Sequence, residues 1–259
     1  LESYFSKSRL SFIGSFKQRL GKSKGPQRQA AHSAYAKRFV LHIDMDCFFA
    51  AIAVRNFPQF RDKPVAVGHA WKNDPNGIRG DSIPVSATDE KKKSYSELST
   101  CNYKARKFGV KKGMFLHRAR QLCPDLVVLP YDYEGYEDAS NKVGEILRSV
   151  VDEYNGAIEQ VSCDESYIEF YLQDGKVTDT DTDSEPLRPM LANDLARSIG
   201  DSIRRAIVDK TKCTASIGVG PNKLLAKLAT DSAKDGGGDR VAVVVDWKTF
   251  LNGTHLREI

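Results

Sequence analysis

A short apolar stretch that carries two aspartates limits what this chain can fold into. Residues 39–49 read FVLHIDMDCFF, in which β-branched and aromatic residues surround Asp44 and Asp46. Such a run is typical of a buried strand, where an unpaired carboxylate is costly. In an extended segment, residues two apart point to the same face, so these two aspartates are placed to share a cation. The alternative is that one of them caps the helix predicted to begin near Phe48.

A second acidic pair favours the cation site. Residues 157–170 alternate as a β-hairpin does, and Asp164 and Glu165 are adjacent at its centre. Like charges this close destabilise a fold unless a cation or a basic partner neutralises them. Two acidic pairs on predicted strands are typical of a two-metal phosphoryl-transfer site, because hard cations such as Mg²⁺ prefer carboxylate oxygens.

Composition excludes several other classes of protein. The chain has 259 residues, of which 41% are hydrophobic and 28% charged, enough for a substantial core and for two domains. No apolar run approaches the roughly 20 residues that span a bilayer. The first residues lack the apolar segment of a signal peptide, so we expect no membrane partner and a location in the cytoplasm or nucleus. Five widely spaced cysteines favour buried thiols over disulfides or a zinc site.

The positive charge is concentrated at the amino terminus. The net charge is +5, and residues 1–39 hold nine lysines and arginines against one acid. This segment either docks through its aromatic residues or contacts phosphates, and the residues alone leave both interpretations open. Two polar segments, 69–94 and 174–186, are predicted to be surface insertions.

Two later motifs suit the binding of an anion. Tyr103 and Arg106 share one face of a predicted helix, and Gly109 is placed to end that helix. Together the phenol and the guanidinium suit a triphosphate. The alternative is a solvated basic face. Pro221 predicts the start of a helix with Lys223 in its first turn. Apolar periodicity also predicts helices over 48–54, 134–154 and 191–208, and strands over 64–68, 126–129, 215–220 and 241–245.

These motifs together resemble the Y-family translesion DNA polymerases. The resemblance rests on DMDCFF at 44–49, NYKAR at 102–106 with FGV at 108–110, SCDE at 162–165, and GVGPNK at 218–223 with LAK at 225–227. It implies an α+β fold: a polymerase palm of mixed sheet with packed helices, a small fingers domain and an amino-terminal arm, with the family's thumb and little finger absent. The implied domains are an amino-terminal extension that reaches the active site, a first palm part, fingers and a second palm part, over residues 1–38, 39–66, 67–124 and 125–259.

The resemblance also implies roles for individual residues. Asp44, Asp164 and Glu165 match the catalytic metal ligands, the Met45 carbonyl matches a further ligand of the two Mg²⁺ ions, and Asp46 is a secondary candidate. Positions matching the triphosphate site are the main-chain amides around Cys47 and Phe48 and the side chains of Thr100, Tyr103, Arg106 and Lys223.

The aromatic ring at Phe49 matches the family's sugar gate, which leaves no room for a ribose 2′-hydroxyl. A plain core aromatic is the alternative for this residue.

Within the family, the basic extension resembles that of deoxycytidyl transferases. Arg9 matches the residue that pairs with incoming dCTP, and Leu10 the residue that takes the place of the template guanine. Arginine has only donors, and cytosine alone presents two adjacent acceptors on its pairing edge, which suits this choice of base.

The implied reaction is DNA-directed nucleotidyl transfer in translesion synthesis. It inserts dCMP from dCTP at a primer 3′ end, opposite template G or at damaged or abasic sites. The implied partners are primer–template DNA, dCTP and, through regions outside this chain, other translesion polymerases, with a nuclear location. An ordinary template-reading polymerase and a nonenzymatic scaffold are the alternatives. A scaffold would tolerate a broken acidic set, whereas all of the acids are present here.

Overall fold

The computed structural model describes residues 36–68, 96–173, 187–235, 240–246 and 248–250. Both predicted insertions and most of the amino-terminal extension, including Arg9 and Leu10, lie outside these ranges. The structure divides into two compact units. One, which we label the palm unit, comprises the described residues up to Met45 and from Ser140 onward, and the other, which we label the fingers unit, comprises the described residues of 46–139. These bounds differ from those of the predicted domains 39–66, 67–124 and 125–259, whose assignment to palm and fingers stays a prediction.

Besides a short 3-10 helix at Pro58–Phe60, eight strands and six α-helices follow one another along the described chain. They are β1 (Ala36–Met45), α1 (Phe48–Asn56), β2 (Val65–Gly68), β3 (Leu98–Cys101), α2 (Tyr103–Arg106), α3 (Leu116–Leu122), β4 (Val127–Leu129), α4 (Tyr133–Glu153), β5 (Ala157–Gln160), β6 (Glu165–Gln173), α5 (Leu187–Thr211), β7 (Ala215–Gly220), α6 (Lys223–Asp235) and β8 (Val241–Val243). This mixture confirms the predicted α+β class.

The palm unit is a five-stranded mixed sheet in the order β5-β6-β1-β7-β8. Strand β1 lies in the middle and pairs antiparallel with β6 and with β7, whereas β7 and β8 are parallel. Residues 39–43 are buried in succession, as expected for a central strand covered on both faces. Helices α5 and α6 both pack against β7 and β8. The apolar run that predicts a buried strand is therefore the centre of this sheet.

Helix α6 approaches the sheet unusually closely at Gly218. A Cβ built there would lie 2.0 Å from the carbonyl oxygen of Ala226 and 2.3 Å from the amide nitrogen of Thr230. No side chain larger than hydrogen fits at such distances without moving the helix. Gly218 is also the register partner of His42 on β1. The glycine therefore brings α6 within reach of the central strand.

The fingers unit contains a three-stranded sheet in the order β3-β2-β4. Strand β2 is antiparallel to β3 and parallel to β4, and helix α1 packs on β2 and β3. A separate apolar cluster includes Leu98, Val110, Leu116 and Leu126. This unit therefore has its own hydrophobic core.

Two local predictions are wrong. Helix α6 does not begin at Pro221; Asn222 precedes its first residue, and the Asn222 side chain accepts a hydrogen bond from the Leu225 amide at 2.9 Å. The N-cap is thus supplied by an asparagine that sequence reasoning passed over. All five cysteines are free thiols as expected, but Cys47 and Cys163 are only partly buried.

The described helices include none with both the length and the apolar character needed to cross a bilayer.

Candidate active site

Strand register brings the predicted metal ligands of the palm unit to one end of the sheet. Asp44, near the end of β1, is the direct partner of Glu165, the first residue of β6. The Met45 amide donates a hydrogen bond to the Asp164 carbonyl at 3.0 Å, which extends the pairing by one more residue. Directly opposed residues of antiparallel strands project to the same face, so the carboxylates of Asp44 and Glu165 share one face. Three acids of the two predicted pairs, Asp44, Asp164 and Glu165, therefore lie at one strand end.

Lysines of α6 neutralise these carboxylates. Lys234 Nζ lies 2.9 Å from Asp44 Oδ2, and Lys227 is paired with Glu165 Oε1. The two lysines are seven residues apart, two turns of a helix, and so lie on one face of α6. Carboxylates this close to one another would repel without a basic partner. The lysines on this face of α6 supply that partner.

The pKa values of the two lysine-paired carboxyl groups, Asp44 and Glu165, are shifted in opposite directions. Burial raises the pKa of Asp44, and the charge of Asp164 adds to this, while Lys234 opposes it. For Glu165, burial also acts upward, but hydrogen bonds from Lys227 and His42 outweigh it and leave the pKa below its ordinary value. The upward effect of Asp164 on Asp44 places these two acids within electrostatic reach of each other.

The donor set suits a hard divalent cation. Carboxylates and a main-chain carbonyl are the oxygen ligands that Mg²⁺ takes in proteins, and Asp44, Asp164, Glu165 and the Met45 carbonyl supply this set. Asp164 is held in turn by the Ser162 hydroxyl, which donates to Oδ1 at 2.5 Å. Across the described ranges, no three or more His, Cys, Asp or Glu side chains are grouped closely enough to enclose a metal. The ligands fit chemically, and lysine ammonium groups balance their charge.

Asp46 lies outside strand β1, contrary to the expectation that it shares a face with Asp44. The strand ends at Met45, and Cys47 adopts a left-handed conformation with φ of 48°, so the two-residue alternation stops there. Asp46 does not cap α1 either, because the N-cap position is Cys47 and no side chain caps the helix. Instead, the Tyr103 hydroxyl donates to the buried Asp46 carboxylate at 3.3 Å within the fingers unit.

Helix α2 presents the predicted triphosphate residues of the fingers unit. Arg106 lies over the Tyr103 ring, with its guanidinium carbon 5.1 Å from the ring centroid, and its Nε donates to the Cys101 carbonyl at 3.2 Å. Gly109 follows with φ of 84°, a backbone conformation that favours glycine and ends the helical turn as predicted. Thr100 precedes this turn on β3. Tyr103 and Arg106 are therefore neighbours on a rigid turn.

Asn102 fixes the start of α2. Its Oδ1 accepts hydrogen bonds from the amides of Ala105 and Val65, both at 3.0 Å, and its Nδ2 donates to the Lys63 carbonyl at 3.0 Å. One side chain thereby caps the helix and ties it to the start of β2.

The predicted sugar-gate residue rests on an aromatic base. Phe49 is partly exposed and stacks on Tyr136 with 4.2 Å between ring centroids, and Phe48 beside it is buried. Burial raises the pKa of Tyr136, whose hydroxyl has no hydrogen-bond partner in the described part of the chain. Asp132 main chain lies near this hydroxyl without hydrogen-bonding geometry. The role of Phe49 in sugar selection stays a prediction.

Lys223 occupies the first position of α6, as predicted for an anion-binding lysine. In this structure it pairs with Glu159 and lies over the Tyr167 ring, with Nζ 5.4 Å from the centroid. Sequence reasoning gave no role to Lys227, Lys234, His42 or Thr230, although the seven-residue spacing of the two lysines was visible. The partners of these residues, Asp44 and Glu165 for the lysines and His42 for Thr230, are distant in sequence, so the pairing becomes visible only in the fold.

Comparison with known proteins places these motifs in a family. A model described as the impB/mucB/samB family matches residues 43–231. DNA repair protein REV1 of Arabidopsis thaliana is 34% identical over 92% of this chain and 19% of its own length. DNA polymerase IV of Shewanella denitrificans is 38% identical over 77% of this chain and 44% of its own length.

Among the solved structures that resemble this chain are DNA polymerases, as among the sequence relatives. A Y-family DNA polymerase chimera of Dbh and Dpo4 superposes with a TM-score of 0.58 and 27% identity, over 83% of this chain and 51% of that one. The chain thus spans about half of that structure, and less of the two sequence relatives. Since the family model covers most of the chain, the predicted resemblance is confirmed, and the chain belongs to the impB/mucB/samB family of Y-family DNA polymerases.

Proposed function

We propose that the chain is the catalytic part of a translesion DNA polymerase that transfers dCMP from dCTP to a primer 3′ end. The observation that carries the catalytic part of this proposal is the pairing of Asp44 with Glu165, with Asp164 next to it, at one end of the central strands. In the proposed reaction these acids and the Met45 carbonyl hold two Mg²⁺ ions. Bound there, such ions stabilise charge that develops on phosphoryl oxygens.

The other residues act on the nucleotide in this proposal. Tyr103 and Arg106 are held side by side on α2 and supply hydroxyl and guanidinium donors to a triphosphate. Thr100, Lys223 and the main-chain amides around Cys47 and Phe48 contribute the remaining donors. Phe49, stacked on Tyr136, is the proposed gate against a ribose 2′-hydroxyl.

Selection of dCTP is the finer part of the proposal. It rests on the basic segment around Arg9 and Leu10 and on the similarity to REV1 proteins. The proposed partners are those that the motif resemblance implies: primer–template DNA, dCTP and, through other parts of the full-length protein, further translesion polymerases in the nucleus. A template-reading polymerase is the second candidate, because DNA polymerase IV of Shewanella denitrificans is 38% identical.

One experiment tests the catalytic residues. Asp164→Ala combined with Glu165→Ala in the full-length protein should abolish single-nucleotide primer extension with Mg²⁺, because two oxygen ligands are lost. Glu169→Gln is the matched control, since Glu169 is a further acid of β6 that pairs with Arg38. Retained extension by the double variant would contradict the metal assignment.

A second experiment separates the two candidate functions. Each dNTP is offered separately opposite each template base. Preference for dCTP whatever the template, lost in Arg9→Ala and kept in Lys7→Ala, supports selection by the protein. Insertion that follows the template, unchanged by Arg9→Ala, supports the template-reading polymerase.

A further inference from the structure

A buried histidine contacts the Glu165 carboxylate from the interior of the sheet. His42 lies on β1 two residues before Asp44 and is 1% exposed. Its Nε2 lies 2.7 Å from Glu165 Oε1, and its Nδ1 lies 2.8 Å from the Thr230 hydroxyl oxygen. The ring therefore connects α6 to the acidic strand end through two short contacts.

The chemistry of the end groups determines the direction of these hydrogen bonds. An ionised carboxylate only accepts, so His42 Nε2 must carry the hydrogen that it donates to Glu165. When the ring is neutral, Nδ1 is then an acceptor, and the Thr230 hydroxyl is the donor that lies within reach of it. The same hydroxyl is also placed to donate to the carbonyls of His42 at 3.1 Å and Ala226 at 3.0 Å, so these two acceptors share it with Nδ1, which lies nearest at 2.8 Å.

Both contacts of the Glu165 side chain fall on the same oxygen. His42 and Lys227 each donate to Oε1, and among the described residues no group donates to Oε2. A carboxylate held through one oxygen by two donors cannot rotate freely. Oε2 is then the oxygen that remains available to a cation.

We propose that the Thr230–His42 pair is a positioning element that orients Glu165 to offer Oε2 to a divalent cation, with Thr230 selecting the histidine tautomer that donates to Oε1. This inference rests on the proposed function of Glu165 as a metal ligand. Gly218 is part of the same arrangement, because a Cβ there would lie 2.6 Å from the Thr230 hydroxyl oxygen. Outer partners of metal ligands commonly contribute 10–100-fold to metal affinity.

Nuclear magnetic resonance tests the tautomer directly. Long-range ¹H–¹⁵N correlation spectra should show His42 with its hydrogen on Nε2 near neutral pH, assigned by the loss of that signal in His42→Gln. Thr230→Val keeps the side-chain shape but removes the hydroxyl, and it should alter the Nδ1 resonance, whereas Thr230→Ser should leave the tautomer unchanged. A neutral His42 with its hydrogen on Nδ1 would overturn the proposal whatever the activity.

Metal binding tests the consequence. Mn²⁺ titration followed by electron paramagnetic resonance should show roughly 10-fold weaker binding for Thr230→Val and for His42→Leu, with recovery in Thr230→Ser and in His42→Gln, whose amide can still donate. If His42→Leu fails to fold, the comparison of Thr230→Val with Thr230→Ser alone tests the proposal.

Controls at the ligands separate this inference from the function on which it rests. If Asp44→Asn and Glu165→Gln abolish Mn²⁺ binding while Thr230→Val binds like the parent, the positioning role is wrong and the metal site stands. If Asp44→Asn and Glu165→Gln bind Mn²⁺ like the parent, the proposed metal site is wrong and the positioning role falls with it.

Discussion

Replacing Gly218 with alanine should weaken the fold and the acidic site together. The new Cβ would lie 2.0 Å from the Ala226 carbonyl oxygen, whereas ordinary contacts begin at 3.4 Å, and the obstructing atom belongs to the backbone. Helix α6 must therefore shift by about 1.4 Å, because a packed interior cannot absorb the overlap. Overpacking of this kind costs about 1–3 kcal/mol, and a rigid backbone neighbour places Gly218→Ala near the upper value. The expected fall in melting temperature is about 6–12 °C for a protein of this size.

Differential scanning calorimetry measures this change, with Gly200→Ala as the control. Gly200 lies on α5, and the nearest atoms to its added Cβ would be side-chain methyls, those of Val241 at 3.0 and 3.6 Å and of Ile217 at 3.7 Å. Alanine is also the better helix former by about 1 kcal/mol, so Gly200→Ala should melt within a few degrees of the parent. In Gly218→Ala, displacement of Lys227 and Thr230 should also lower primer extension by roughly 100-fold. Melting of Gly218→Ala within about 2 °C of the parent would refute the close-approach argument.

Three smaller changes test other contacts. Arg38→Gln should cost about 0.2–1 kcal/mol in urea unfolding at pH 7, because Arg38 donates twice to the partly exposed Glu169 at 2.9 and 2.8 Å. The Arg38 hydrogen bond holds the pKa of Glu169 below its ordinary 4.5. The difference in unfolding free energy between the parent and Arg38→Gln should therefore disappear as the pH falls from 4.5 through the lowered value. A difference that persisted in acid would argue against the ion pair. Tyr136→Phe should raise thermal stability by about 1–3 kcal/mol, since it removes a buried hydroxyl without a partner in the described structure, and a loss of stability would reveal a partner. Asn102→Ala should cost about 1–2 kcal/mol and raise the KM for the nucleotide, because α2 loses its cap; an unchanged KM would separate this helix from nucleotide binding.

Local periodicity was sufficient to predict most elements of the fold. The apolar run before Asp44 predicts β1, and alternation around Asp164 and Glu165 predicts the β5–β6 hairpin; both are confirmed. These predictions succeed because alternation and burial depend on neighbouring residues. The placement of Asp46 failed for a related reason: the strand ends one residue earlier, and a left-handed Cys47 interrupts the alternation.

Contacts between distant residues could not be predicted in the same way. His42 and Thr230 are 188 positions apart, and no local pattern links them. Their contact depends on the close approach of α6 at Gly218, which a sequence displays only as one more glycine in an apolar strand. The roles of Arg9 and Leu10 stay predictions, because those residues lie outside the described ranges.

The central position of β1 has a consequence for biosynthesis. The ribosome adds about 5–20 residues per second, so Glu165 emerges roughly 6–24 s after Asp44, and Lys234 roughly 10–40 s after it. Until Glu165 emerges, a strand whose residues 39–43 are all buried in the finished sheet has neither of its neighbours. Unpaired apolar strands readily associate with other chains. The nascent chain is therefore most prone to aggregation before β6 and β7 are made, and a chaperone that binds the emerging amino-terminal part of the palm should improve the yield of folded protein.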